Sequence, residues 1–256
     1  DYFVENSGAK LVLCDEKKRA GLTDVAQRNG ARLETLNADG SGSFTDLARG
    51  LPEVYPTVAR SEDDLAAFLY TSGTTGRSKG AMLTQGNLLN NAEVLAAHWR
   101  FTNEDVLLHQ LPIFHTHGLF VATNVCLVAG CAMRFYPGFD AEALIRDMPK
   151  ATALMGVPTF YTRLLEDARF DRALTAHMRL FVSGSAPLLA DTHRQFHDRT
   201  GQSILERYGM TEIGMAVSNP YDGPRVAGHV GYPLPGVSVR LSEEGEIQVK
   251  GATVFK

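Results

Sequence analysis

The stretch Ala66-Ala67-Phe68-Leu69-Tyr70-Thr71-Ser72-Gly73-Thr74-Thr75-Gly76-Arg77-Ser78-Lys79-Gly80 passes from a short apolar run directly into a turn of glycines and hydroxyls ending on a lysine. Residues 66–70 have the length and flanks of a buried strand. The turn that follows is suited to a polyphosphate. Gly73, Gly76 and Gly80 permit tight turns and close backbone approach, the hydroxyls of Thr71, Ser72, Thr74 and Thr75 can face phosphate oxygens, and Lys79 adds a positive charge. A Walker A loop fits less well: Ser78 stands before Lys79 where that motif has glycine, and Gly80 replaces its magnesium-binding Ser/Thr. The plain alternative is a Gly/Ser/Thr loop that holds nothing.

Working outward, further strands are expected at residues 106–110, 132–136, 152–155 and 179–182. Helices are expected at 87–99, 116–128, 141–148, 158–167 and 188–200. This alternation is the rhythm of a doubly wound, mostly parallel α/β sheet. Upstream, a strand at 10–14, an amphipathic helix at 15–29 ended by Gly30 and a strand at 31–36 form one βαβ unit. Residues 37–60, rich in Gly, Ser, Asp and Pro, read as a surface connection. Downstream, 237–241 and 246–250 read as a β-hairpin that opens a β-rich subdomain. The expected organisation is therefore 1–60 as part of a first α/β subdomain with its linker, 61–228 as the ligand-bearing α/β subdomain, and 229–256 as the start of the β-rich one. Asp1 and Lys256 both read as positions where a longer segment is interrupted.

Composition narrows the function classes. The 256 residues are 44% hydrophobic and 21% charged, ordinary for a globular protein. A net charge of −4, with no lysine or arginine cluster, leaves no footprint for nucleic acid. The longest apolar stretch, 119–133, is interrupted by Thr123, Asn124 and Gly130 and is too short to span a bilayer, so it reads as a buried helix entering a strand. Three cysteines form neither an even set nor a CxxC pair, which fits a reducing compartment and a cytoplasmic location.

Four segments in order carry a resemblance. The turn at 71–80 is similar to the phosphate loop of the adenylate-forming superfamily of acyl-CoA synthetases, luciferases and peptide-synthetase adenylation domains. Leu111-Pro112-Ile113-Phe114-His115-Thr116-His117-Gly118 resembles its aromatic/histidine motif, Ser183-Gly184-Ser185-Ala186-Pro187 its adenine-side loop, and Tyr208-Gly209-Met210-Thr211-Glu212 its magnesium motif. The resemblance implies ATP, Mg²⁺ and coenzyme A as co-substrates and cofactors. It also implies Lys79, His115, Thr211 and Glu212 as catalytic residues, and Thr71 to Gly76, Lys79, Gly184 to Pro187, Glu206, Arg207, Tyr208, Gly209 and Thr211 as nucleotide-binding. Glu212 and Thr74 become the magnesium residues. The residues themselves make chemical sense: Tyr208 offers a flat face for adenine, and Glu212 a hard oxygen of the kind Mg²⁺ takes beside phosphates. His115 and His117 lack a third metal ligand at suitable spacing; His115 is implied to line the acyl pocket, the alternative being a histidine that caps a helix.

Within the superfamily, residues 111–124, 156–165 and 218–223 look most like malonyl-CoA and methylmalonyl-CoA synthetases. A dicarboxylate leaves one charged end to be recognised inside a pocket, which demands a cation. Arg163 is the first candidate, with Arg225 as a weaker one; Arg163 could equally be a helix-surface arginine paired with Glu166 or Asp167. Thr116, Ser185 and Met210 would shape the acyl space. The rivals are a synthetase for a fatty or aryl monocarboxylate and a non-catalytic nucleotide-binding module. The resemblance further implies, beyond Lys256, a ribose-binding aspartate and a small domain with a catalytic lysine, so this stretch alone is expected to turn over poorly.

Overall fold

The computed structural model describes residues 1–72 and 76–256. Gly73, Thr74 and Thr75, assigned above to phosphate and magnesium binding, lie outside the described residues. The chain divides into two compact units, Asp1–Ala59 and Arg60–Lys256.

In the first unit, helix α1 (Tyr2–Ser7) is followed by strand β1 (Leu11–Cys14), helix α2 (Glu16–Arg28) and strand β2 (Arg32–Thr35). β1 and β2 pair in parallel, Leu11 opposite Arg32, which is the βαβ unit read from the sequence. Asp15 starts α2 by accepting the Lys18 N–H at 3.0 Å. The expected surface connection differs in one respect, because residues 43–48 form a short helix, α3 (Ser43–Ala48). Tertiary hydrogen bonds build it: Ser43 Oγ accepts the Thr35 N–H, and Thr35 Oγ1 accepts the Ser43 N–H. Gly42, at φ 136°, is required there, since a Cβ would stand 2.3 Å from the Thr35 carbonyl oxygen.

The second unit opens with β3 (Leu65–Thr71) and β4 (Lys79–Thr84), which pair antiparallel from Leu65–Thr84 to Thr71–Lys79. The first of these was expected in the parallel sheet. It pairs in a separate two-stranded sheet instead, because residues 79–84 form a strand antiparallel to it. Thr84 then caps α4 (Gln85–His98), exchanging side-chain and backbone bonds with Asn87.

The main sheet follows from the remaining elements. They are β5 (Val106–His109), a π-helical turn (His117–Thr123), α5 (Asn124–Ala129), β6 (Ala132–Phe135), α6 (Ala141–Asp147), β7 (Ala153–Gly156), α7 (Pro158–Leu165) and α8 (Arg172–Thr175). After these come β8 (Leu180–Ser183), α9 (Ala190–Thr200), β9 (Leu205–Met210), β10 (Gly214–Ser218) and β11 (Tyr232–Pro233). The order is β11-β10-β9-β8-β7-β5-β6. β6, β5, β7, β8 and β9 run parallel, while β10 and β11 add antiparallel edges. The chain leaves β5 for β6 on one side and returns to β7 on the other. The switch point therefore lies between β5 and β7, and in such sheets ligands bind beyond the carboxyl ends of the strands at that crevice.

Both faces of this sheet are covered, as parallel strands require. Leu107, Met155 and Val182 point into a core with Trp99 and Val125, and their neighbours Leu108, Leu154 and Phe181 into one with Tyr161 and Phe196. Each such side chain contributes roughly 1.5–3 kcal/mol of apolar burial. At the opposite end from the crevice, buried Asp105 accepts bonds from Arg179 Nε at 2.6 Å and Nη2 at 2.7 Å, from Thr152 Oγ1 at 2.6 Å and from the Thr102 N–H. Strand β12 (Val237–Leu241) pairs antiparallel with β13 (Ile247–Gly251), the expected hairpin shifted by one residue at its second strand.

The single helix expected over 116–128 begins instead as the π-helical turn. His109 Nε2 and Thr123 Oγ1 each bond the Gly118 carbonyl at 3.0 Å, drawing that oxygen away from the regular ladder. Among the described residues, no helix is long and apolar enough to cross a membrane.

Candidate nucleotide and acyl site

A cavity of about 970 Å³ opens where the switch point predicts, beyond the carboxyl ends of β5, β7, β8 and β9. Its size is that of a small-molecule site. The phosphate-loop hairpin supplies Thr71, Ser72 and Lys79, the loop after β5 supplies His115 and Thr116, and the end of β9 supplies Gly209, Met210, Thr211 and Glu212. Residues 141 apart in sequence thus share one wall: Thr71 Oγ1 donates to Glu212 Oε1 at 3.3 Å. Thr116 Oγ1 likewise donates to Thr211 Oγ1 at 3.2 Å, tying the β5 loop to the β9 loop. His115 is exposed at this wall, its ring 4.5 Å from that of Phe114.

The inner wall is different. Arg207, on β9, is 4% exposed, yet its Nε and Nη2 have no hydrogen-bond partner among the described residues. Burial pushes its pKa down to about 10, which still leaves it charged at neutral pH. Its guanidinium lies against the backbone of Gly184, where a Cβ would come within 2.3 Å of Cζ. Glycine is therefore needed at 184 for space, since no positive φ demands it. Beside it, buried His117 lies 3.1 Å from Ser185 Oγ through Nδ1, while its Nε2 is unpartnered. Burial, then the charge of Arg207, then His109 hold the His117 imidazole well below its ordinary pKa, so it is neutral. Ser185 sits at φ 70°, a left-handed conformation that a serine adopts only when its surroundings enforce it.

Other candidates stand apart from the cavity lining. Glu206 points to the other face of β9, where it is 2.9 Å from His193 Nδ1 and accepts the Gly228 N–H at 3.1 Å. Tyr208 packs on Ile213 and Val217. Ala186 and Pro187 are exposed in the loop after β8, and Gly76 turns the phosphate loop at φ 88°. Arg163 is exposed on α7 with its guanidinium 5.4 Å above the Phe139 ring. Arg225 directs its nitrogens at the carbonyls of Pro220, Ser203 and Tyr221. Neither of these two arginines lines the cavity.

The sequence reading did not single out His117 or the inward direction of Arg207. A signal was present. Residues 204–210 read Ile-Leu-Glu-Arg-Tyr-Gly-Met, and two adjacent charges in a buried strand must face opposite sides, each needing its own partner.

The family described as AMP-binding enzyme matches the chain over residues 1–256. The chain belongs to this family. The mitochondrial malonate–CoA ligase of Mus musculus is 38% identical over 95% of this chain and 44% of its own length. The malonate–CoA ligase of Arabidopsis thaliana is 33% identical over all of this chain and 47% of its own. The crystal structure of ATP-bound MatB from Rhodopseudomonas palustris superposes with a TM-score of 0.96 at 56% identity, over all of this chain and 53% of that one. A malonyl-CoA ligase product complex with methylmalonyl-CoA and AMP bound superposes at 0.83 with 35% identity, over all of this chain and 55% of that one. The chain spans about half the length of the relatives it matches. Its fold is that of the N-terminal domain of adenylate-forming enzymes.

Proposed function

We propose that this chain is the ATP- and acyl-binding part of an enzyme that activates a small dicarboxylic acid, malonate or methylmalonate, first as an acyl-adenylate and then as its coenzyme A thioester. The observation that carries this reading is the buried guanidinium of Arg207 in the cavity wall, whose Nε and Nη2 have no partner among the described residues. A buried charge without a counterion is costly, and a substrate with a second carboxylate supplies one. A monocarboxylate would leave it unpaired. The names of the malonate–CoA ligases and of MatB, relatives over about half their length, support the same acid class.

In the first half-reaction a carboxylate oxygen attacks the α-phosphorus of ATP, and the bond to the bridging oxygen breaks to release pyrophosphate. In the second, the thiol of coenzyme A attacks the acyl carbon, loses its proton and expels AMP. The chain's own residues position and neutralise charge. Lys79, Thr71 and Ser72 face the phosphates, Thr211 and Thr116 close the wall beside the α-phosphate, and His115 borders the reacting carboxylate. The Glu212 carboxylate and the Thr71 hydroxyl are hard oxygen groups 3.3 Å apart in one cavity, a donor set that fits Mg²⁺ shared with phosphate oxygens. Glu212 would hold the ion, which supplies neutralisation of phosphate charge.

The test is pyrophosphate release by the full-length protein carrying this chain, with Mg·ATP, coenzyme A and a panel of malonate, methylmalonate, butyrate and benzoate. The reading requires kcat/KM for one of the two dicarboxylates to exceed both monocarboxylates by at least about tenfold, the value of one charged hydrogen-bonded contact. Equal or better use of butyrate or benzoate overturns it.

A further inference from the structure

We infer that Asn87 and Asn91, one turn apart on α4, are positioning residues that hold Glu212 at the phosphate-loop strand. The inference rests on the nucleotide reading above, in which Glu212 meets the cation of Mg·ATP, and it names what keeps that carboxylate in place.

Glu212 lies in the turn between β9 and β10, where no strand ladder fixes it. The turn is held instead from α4. The side chain of Asn91, 6% exposed, spans the backbone of Met215: Nδ2 donates to the Met215 carbonyl at 3.0 Å, and Oδ1 accepts the Met215 N–H at 3.1 Å. These are the two groups that a neighbouring strand would otherwise take. The pairing of β9 with β10 shifts register just there, between Met215 and Val217, and such bulges re-aim the residues beside them. The amide fits without slack, since Gly214, left-handed at φ 60°, would put a Cβ 2.9 Å from Asn91 Oδ1.

Asn87 holds the same turn through a second segment. Four residues earlier on α4, and so on the same face as Asn91, it donates through Nδ2 to the Ala252 carbonyl at 2.7 Å and the Val254 carbonyl at 3.0 Å. The next residue, Phe255, donates its N–H to the Glu212 carbonyl at 2.9 Å. Asn87 Oδ1 meanwhile accepts the Thr84 N–H at 3.0 Å, which ties the linkage to the start of α4. Thr84 ends β4, β4 pairs with β3, and β3 ends on Thr71, whose hydroxyl donates to Glu212. The ring thus closes on the carboxylate. Its rigidity matters because a group misplaced by about 1 Å can lose on the order of 10²-fold in rate.

The experiment uses the full-length protein and reads, by calorimetry, the gain in ATP affinity that Mg²⁺ brings: the ratio of the ATP Kd without the ion to that with it. Asn87→Asp keeps the acceptor for the Thr84 N–H, so the cap survives, and removes both donors to residues 252 and 254. It is expected to shrink the ratio by about tenfold, with the malonate KM unchanged. Asn91→Ala is expected to act in the same direction; where it does not fold, Asn87→Asp, half-buried in the first turn of α4, decides alone. Leu95→Ala, one turn further along α4 and buried in the core, is expected to lower the Tm and leave the ratio unmoved. An unmoved ratio in the asparagine variants, an equal shift in Leu95→Ala, or a malonate KM raised by the same factor overturns the inference, while a ratio that shrinks in Glu212→Gln leaves the reading of Glu212 standing. A ratio unmoved in Glu212→Gln overturns both.

Discussion

Gly184 and the guanidinium of Arg207 occupy touching space: a Cβ on Gly184 would lie 2.3 Å from Arg207 Cζ and 2.5 Å from Nε. The glycine of the loop after β8 is thus the seat of the buried cation. Gly184→Ala is expected to displace the guanidinium and raise the malonate KM by about tenfold to hundredfold, the order of effect that a 1 Å misplacement produces. Steady-state kinetics with malonate and ATP varied in turn check this. A KM for ATP that rises as much as that for malonate would count against the assignment of Arg207 to the acid.

Glu212 brings a carboxylate to the phosphate-loop strand through its contact with Thr71. Glu212→Gln keeps the shape and one acceptor oxygen but removes the charge. kcat/KM for ATP is expected to drop by about 10²–10³-fold, with half-maximal activity moving to higher magnesium concentration. Pyrophosphate release across a magnesium titration is the measurement, and an unaltered magnesium dependence would remove Glu212 from the metal.

Far from the site, Asp105 links β5 to the segments before β7 and β8 through Thr152 and Arg179. Burial alone would raise its pKa, but the bonds from Arg179, Thr152 and the Thr102 N–H outweigh that and hold it below the usual carboxylate value. A carboxyl depressed in this way stabilises the fold fully above its unfolded pKa of about 3.9, and the contribution is lost as pH falls through the lower folded value. Asp105→Asn should cost about 2–3 kcal/mol at pH 7. Its difference from the parent should shrink as pH falls below about 4. Urea melts at pH 7 and pH 3.5 read both.

His117 titrates in the opposite sense. Its folded pKa lies well below the usual histidine value, so below about 6.5 the unfolded chain takes up a proton that the folded chain refuses. Stability is expected to decline as pH drops from 6.5, with His117 contributing a slope of about 1.4 kcal/mol per pH unit. His117→Gln should flatten the profile between pH 6.5 and 5 by that amount. A slope equal to the parent's would mean the ring is protonated in the fold.

Much of the architecture was legible because it is local. The strand after each apolar run, the helix after each cap and the hairpin at 237–251 rest on short-range periodicity and turn residues, and the structure departs from them by a residue or two. Helix α8 and strands β9, β10 and β11 were not read from the sequence at all, and two further misses share a cause. α3 exists because Thr35 and Ser43 exchange bonds across the chain, and the π-helical turn because His109 reaches up from β5 to the Gly118 carbonyl. Nothing near residues 43 or 118 in the sequence announces either partner. Strand β4 was hidden by the loop motif that precedes it.

The site divides along the same line. The proposed phosphate and magnesium roles rest on residue types that can be read directly, a glycine- and hydroxyl-rich turn ending on a lysine and a Thr-Glu pair, because that chemistry needs particular atoms on a turn. Which cation meets the acid is not declared. Arg163, Arg207 and Arg225 are equivalent letters until packing buries one at the cavity wall, exposes another over Phe139 and turns the third onto backbone carbonyls. The charge is a property of the residue, but its need for a partner is set by the water the fold removes from around it.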